Sequence, residues 1–220
     1  MDVKAEQTII QHIHKAYPNH GIIAEESGVN NDDAETVWII DPLDGTTNYL
    51  HGFPFFCVSI AVRVKNRIEH GLIYDPVRGE CFSASRGQGA QMNSKRIRVN
   101  QKKEMSKSLI GGGFPVKYPE LCERFLATAT ALFGDAAGIR RTGSAALDLA
   151  YVACGRLDGY FEFGLRQWDL AAGALLIKEA GGLVGDFAGG ENYLNTGNIV
   201  AANPKLFKAM LQKLSAKLQG

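Results

Sequence analysis

An α+β fold is the expectation for this chain, and three observations carry it. A helical apolar pattern opens the sequence, short β-rich segments with turn punctuation fill the rest of the first half, and longer helical patterns separated by a strand make up the second. At 220 residues and 45% hydrophobic, the chain is long enough to bury a full core, and residues 1–220 read as a single domain.

Residues 2–17 predict a helix, with Asp2 as N-cap and Ile9, Ile10, Ile13 and Tyr17 on one face. GIIA (21–24) is a short strand closing on Glu25 and Glu26, and VWIID (37–41) is the next. FFCVSIAVRV and HGLIYDPVRGECFSASRG are β-rich with turns at Pro76 and Gly79, which predicts a meander, so the first half reads as a helix followed by an antiparallel sheet. PELCERFLATATALF (119–133) is a second helix, and a third begins at Ser144 and stops at Gly155. DGYFEFG is a strand with Glu162 between two aromatics, and a fourth helix runs from Asp169 to a Gly181 cap. From Pro204 a last helix places Leu206, Phe207, Met210, Leu211, Leu214 and Leu218 on one face; in so neutral a chain it reads as a terminal docking helix rather than a membrane-surface one.

Composition excludes several classes. With 24 Lys plus Arg against 23 Asp plus Glu, the net charge of +1 supplies no global attraction to nucleic acid or an anionic membrane, so no direct DNA binding is expected. No secretory leader and no apolar run of membrane-spanning length is visible. The cysteines, Cys57, Cys81, Cys122 and Cys154, form no CxxC pair and read as reduced structural thiols, which makes the cytoplasm the expected compartment. GxSxG is absent, the glycines of GGGF lack the Lys-Ser or Lys-Thr of a P-loop, and the five histidines form no HExxH pair and read as surface or packing residues.

The most informative stretch is VWIIDPLDGTTN (37–48), where an apolar strand ends in two acids, a turn and two hydroxyls. Pro42 fixes φ, so Asp41 and Asp44 are held in a bend and can point at one small volume, as a hard divalent cation requires of its oxygen ligands. Gly45 lets backbone N–H groups approach an anion. Asp-Pro-x-Asp-Gly is also a good turn, and the other acidic elements have equally plain readings. Glu25 and Glu26 suit a solvated turn, Asp169 after Trp168 and the GSAA at 143–146 suit helix caps, and Glu162 suits a half-exposed strand.

Their joint presence decides between these readings. EES, then DPLDGTTNY, then WDLAAGALLIKEAGG, in that order, resemble the Mg²⁺-dependent, lithium-sensitive inositol monophosphatase family. The likeness covers the whole chain and is nearest the bacterial SuhB-type branch, through GFPFF, DPVRGECFSASRGQGAQMN, RRTGSAALDLAYVACGRLDG and TGNIVAANP. It implies the layered αβαβα sandwich of the inositol monophosphatase and fructose-1,6-bisphosphatase type. It also implies two metal sites: Glu25, Asp41 and the Leu43 carbonyl resemble the ligands of one, and Asp41, Asp44 and Asp169 those of a second. Glu25 and Thr46 resemble the pair that orients the attacking water, with Asp44 beside them in the catalytic set. Gly45 and Thr46 N–H groups would hold the phosphate, and Ala145 and Glu162 would face the alcohol.

The implied substrate is inositol monophosphate or a similar small polyol phosphate, the implied assembly a homodimer. Sister phosphatases act on fructose bisphosphate, a 3′-phosphoadenosine nucleotide or histidinol phosphate, and nothing in the named pocket residues separates these firmly. The SuhB-type branch is also associated with RNA polymerase and antitermination factors. KRIRVNQKK, with Lys95, Arg96, Arg98, Lys102 and Lys103, is the segment that would serve such a role, although its alternation with Ile97 and Val99 is what an exposed strand shows. One departure stands out: family members normally begin with a further helix and a mobile hairpin bearing a lysine, whereas this sequence starts at the acid that follows that hairpin. The expected consequence is a stripe of Ile9, Ile10 and Ile13 left bare.

Overall fold

The computed structural model describes residues 2–114 and 119–218. In chain order the elements are α1 (Asp2–Ala16), β1 (Gly21–Ala24), β2 (Gly28–Asn30), β3 (Thr36–Asp44), α2 (Thr46–Leu50), β4 (Cys57–Val64), β5 (Arg67–Asp75), β6 (Glu80–Ser85), β7 (Gly89–Met92) and β8 (Lys95–Arg96). There follow β9 (Leu109–Gly112), α3 (Cys122–Phe133), β10 (Gly138–Arg140), α4 (Ala145–Ala153), β11 (Gly159–Glu162), α5 (Gln167–Glu179), β12 (Leu183–Gly185), α6 (Tyr193–Thr196), β13 (Ile199–Ala202) and α7 (Pro204–Leu218). No helix among the described residues is long and apolar enough to cross a membrane.

The strands form an eight-stranded sheet, ordered β2-β1-β3-β4-β5-β6-β7-β8, and a five-stranded sheet, ordered β10-β9-β11-β13-β12. From β3 to β8 the first sheet is the expected antiparallel meander. Its start differs from expectation, because β1 runs parallel to β3. The short β2, not evident in the sequence, makes the antiparallel return on the outer edge, so the chain re-enters on the other side of β1 in the same direction.

Alternation along the strands sorts the layers, since successive side chains face opposite sides of a sheet. On β3, Val37 and Ile39 face α4 and α5, while Trp38 and Ile40 face α1 with Ile13 and Ile22. On the second sheet, Tyr160, Ile199 and Ala201 face α4 and α5, while Phe161, Val200 and Ala202 face α3 and α7. The result is α1, sheet, α4 and α5, sheet, α3 and α7: the αβαβα sandwich.

The central helices are small-residue helices pressed close to their neighbours. A Cβ at Gly173 of α5 would lie 2.5 Å from the Leu149 Cβ of α4, so only glycine permits that helix pair. The last helix buries Leu206, Phe207, Met210 and Leu214, with Leu211 half-buried; the Leu218 side chain lies outside the described ones. The isoleucine stripe of α1 is not bare. Ile13 is buried, and Ile9 and Ile10 are half-buried against Ile22, Ala24 and Ile40; Tyr17 is the exposed member, stacked on His20.

Candidate metal centre

The parallel pairing of β1 and β3 creates the site. Its register sets Ala24 opposite Ile40, so Glu25, just past the end of β1, comes beside Asp41 of β3, and the Glu25 N–H donates to the Ile40 carbonyl at 3.2 Å. β3 then pairs with β4 at Asp41 and at Asp44 but is irregular between them. That bulge tolerates Pro42, which has no N–H to give, and re-aims the two acids. The bend is pinned by the Leu43 N–H, which donates to Asp41 Oδ1 at 2.9 Å, and by Thr46 Oγ1, which donates to the Leu43 carbonyl at 3.0 Å. Gly45 sits at φ 95°, where a Cβ would meet the Phe55 carbonyl at 3.0 Å, so Thr46 can begin α2 directly behind the acids.

The middle layer supplies the far wall. Ser144 and Ala146 at the start of α4 each donate to Asp44 Oδ2 at 2.7 Å. Ser144 stands at the N-cap as expected, but its hydroxyl is spent on Asp44 and makes no cap bond. Asp169 is the third residue of α5, which starts at Gln167 rather than at Asp169; its carboxylate accepts the Arg166 N–H at 2.6 Å, the capping role foreseen for it. Ser59 Oγ donates to the Trp168 carbonyl at 3.0 Å, tying that helix start to β4.

Asp41, Asp44 and Asp169 each place a carboxylate oxygen within 4.8 Å of the others. Glu25 lies outside that tight group, yet its charge acts on Asp41. Burial, then Asp44, Glu25 and Asp169 in turn, push the Asp41 pKa well above the usual carboxylate range. Burial also raises that of Asp44, against the donors from Ser144 and α4. An all-oxygen set of crowded acids is the donor chemistry of a hard divalent cation, so the residues fit one.

On the second sheet, Glu162 ends β11, near enough to Asp169 and Asp44 for their charges to act on it. Burial raises its pKa to about 8, opposed by the bond from the Tyr160 hydroxyl and reinforced by Asp169. A Cβ on Gly113 would fall 1.8 Å from Glu162 Oε1, so the last glycine of GGGF clears room for this carboxylate, while Gly111 and Gly112 make way for Tyr160 and Phe161. Ala145, the first residue of α4, is buried, and its backbone N–H acts on Asp44.

Three further residues were not evident from the sequence. Asp148, on α4, is buried, accepts Thr142 Oγ1 at 2.6 Å and has a pKa raised to about 8, chiefly by burial. Glu6 and Tyr160 likewise reach the site only through tertiary packing, and no local motif marks them. Of the basic segment, Lys95, Arg96 and Arg98 are exposed while Ile97 and Val99 are buried, the alternation expected of an edge. Lys102 is different, since it pairs with the buried Asp158 at 3.0 Å.

Fold and site define the class: an α+β sandwich of phosphatase type with an acidic metal-binding centre. Comparison with known proteins agrees. The profile of the inositol monophosphatase family matches residues 1–219. Nus factor SuhB of Haemophilus influenzae is 54% identical over 215 residues, covering 97% of this chain and 80% of its own. The structure of inositol monophosphatase from Anabaena (Nostoc) sp. PCC 7120 has a TM-score of 0.94 at 42% identity, over 98% of this chain and 86% of that one. The inositol monophosphate-bound structure of SaIMPase-II has a TM-score of 0.88 at 27% identity, over 99% of this chain and 85% of that one. The chain belongs to the inositol monophosphatase family.

Proposed function

We propose that the protein is a Mg²⁺-dependent phosphoric monoester hydrolase acting on inositol monophosphate or a similar small polyol phosphate. The observation that carries this is the crowding of Asp41, Asp44 and Asp169 around one volume, with Asp41 held far above its ordinary pKa by burial and like charge. In this reading Glu25, Asp41 and the Leu43 carbonyl hold one cation, and Asp41, Asp44 and Asp169 a second. Bound Mg²⁺ neutralises the phosphate oxygens and stabilises the attacking and leaving oxygens of an in-line displacement.

The chain's own groups do the positioning. Glu25 and the Thr46 hydroxyl orient the attacking water, and the Glu25 carboxylate accepts its proton. The Gly45 and Thr46 N–H groups, freed by the left-handed turn, cradle the phosphate. Asp44 keeps its orientation through Ser144 and Ala146. Ala145 and Glu162 face the alcohol's hydroxyls; the inositol monophosphate bound to SaIMPase-II supports that substrate class. The same reading takes residues 1–220 as one domain, in a cytoplasmic and homodimeric protein inhibited by Li⁺.

Phosphate release from a panel of phosphomonoesters, with and without Mg²⁺ and with added Li⁺, is the test. Activity on inositol monophosphate that requires Mg²⁺ and falls with Li⁺ is expected, and turnover unaffected by chelation would sink the reading. A second reading, a binding role with RNA polymerase or antitermination factors, is favoured by the name Nus factor carried by the Haemophilus relative and by the exposed Arg96 and Arg98. Salt-dependent capture of purified transcription proteins, lost in an Arg96→Ala, Arg98→Ala, Lys103→Ala variant that keeps phosphatase turnover, would establish it.

A further inference from the structure

We propose that Glu6 is a positioning residue of the centre, fixing the turn that carries Glu25. This rests on the reading of Glu25 as a metal ligand. Glu6 belongs to α1 and is only 2% exposed, an unusual place for a carboxylate. Among the described residues no lysine or arginine is paired with it. Its two oxygens instead accept consecutive backbone N–H groups, Oε2 from Glu26 at 2.9 Å and Oε1 from Ser27 at 2.8 Å. The preceding N–H, that of Glu25, is held by the Ile40 carbonyl of β3.

The Glu25 peptide is thus fastened on one side to the strand that bears Asp41 and on the other to α1. Bonds to an ionised acceptor are shorter and roughly twice as strong as neutral ones, so a buried carboxylate with both oxygens engaged makes a stiff anchor. A free turn would let Glu25 swing, and a cation ligand that must first be ordered binds its cation more weakly.

The test compares wild type with Glu6→Gln, Glu6→Asp and Glu25→Gln, using Mn²⁺ as the probe and reading free Mn²⁺ by electron paramagnetic resonance. Metal-free thermal midpoints and the Mg²⁺ dependence of turnover are measured in parallel. Gln keeps the size of Glu but presents an amide N–H₂ to one of the two backbone donors. Glu6→Gln is expected to weaken Mn²⁺ binding by about tenfold, in the range found when groups behind a metal ligand are changed, with turnover restored by raised Mg²⁺ and the substrate KM unchanged. Glu6→Asp, which keeps charge but falls short by one carbon, is expected to weaken it in the same direction and serves if the Gln variant does not fold. A lowered thermal midpoint with Mn²⁺ binding within about twofold of wild type, while Glu25→Gln loses it, overturns the positioning role and leaves a structural one. Unaltered Mn²⁺ binding in Glu25→Gln overturns the ligand reading of Glu25 and this inference with it.

Discussion

Asp41 is buried beside Asp44, Glu25 and Asp169, and each of these raises its pKa, so the metal-free fold carries repulsion that a bound cation relieves. Asp41→Asn and Asp44→Asn should each lower Mg²⁺-dependent phosphate release by at least ~100-fold, because each removes charge from the cation site. Asp41→Asn should at the same time raise the thermal midpoint of the metal-free protein, since the repulsion goes with the charge. Loss of activity accompanied by a lowered metal-free midpoint would show that Asp41 serves the fold rather than a cation. Asp148 yields a prediction of its own. Its pKa rises from an ordinary 3.8 to about 8 on folding, by burial and by Asp44, against the Thr142 bond. A raised native pKa means that the stability this acid contributes is complete below about pH 4 and is lost as pH climbs through about 8. Thermal midpoints of the metal-free protein should therefore decline over that interval, and Asp148→Asn should flatten the decline; an unchanged slope would mean that Asp148 stays ionised in the fold. Asp41, Asp44 and Asp169 were legible in the sequence because their neighbours in the chain already announce a bend or a helix start. Glu6, Asp148 and Gly113 were not, because each acquires its meaning from a residue on another element.

Among the elements, those marked by periodicity or by sharp ends were readable, β1 and β11 among them at four residues each. The helices α1 and α7 and the strand β1 carried clear periodicity or sharp ends, and the meander from β4 to β7 carried its turns. β2, β9 and β10, of three or four residues each, are too short to show alternation, and the parallel direction of β1 against β3 depends on β2. The segment after β7 shows how a charge run divides once its contacts are known. Arg96 and Arg98 stand on the exposed side, whereas Lys102 offsets Asp158, a buried acid that also accepts the Leu109 N–H at 2.8 Å. Lys102→Ala should therefore destabilise the protein by about 1–3 kcal/mol, at or below the low end for breaking a buried pair because the lysine is partly exposed. Arg96→Ala with Arg98→Ala should stay within about 0.5 kcal/mol per site. Urea midpoints of the two variants decide the matter, and equal midpoints would place Lys102 with the solvated arginines. For this reason a test of the binding role should leave Lys102 in place.

At the scale of the molecule, α4 and α5 form the layer that, among the described residues, touches both sheets, and the candidate centre draws on all three: Asp41 and Asp44 from the first sheet, Asp169 from the helices, Glu162 from the second sheet. A sequence can suggest such a layer through runs of small and apolar residues, as in WDLAAGALLIKEAGG, but which face meets which sheet follows only from packing. Leu170, fully buried in that layer, lets the coupling be measured. Leu170→Ala should cost about 2–5 kcal/mol, the range for a core leucine truncated to alanine. If the sandwich unfolds as one unit, that loss must appear equally in both sheets, although Leu170 belongs to neither. Native-state hydrogen exchange of the β3 and β4 amides reports the first sheet, and that of the β11 and β13 amides reports the second. A common drop in opening free energy is expected for the most protected amides of both sheets, together with coincident urea transitions by Trp fluorescence and circular dichroism. A drop confined to one sheet would mean that the layers open separately, and the reading of residues 1–220 as a single cooperative domain would fail.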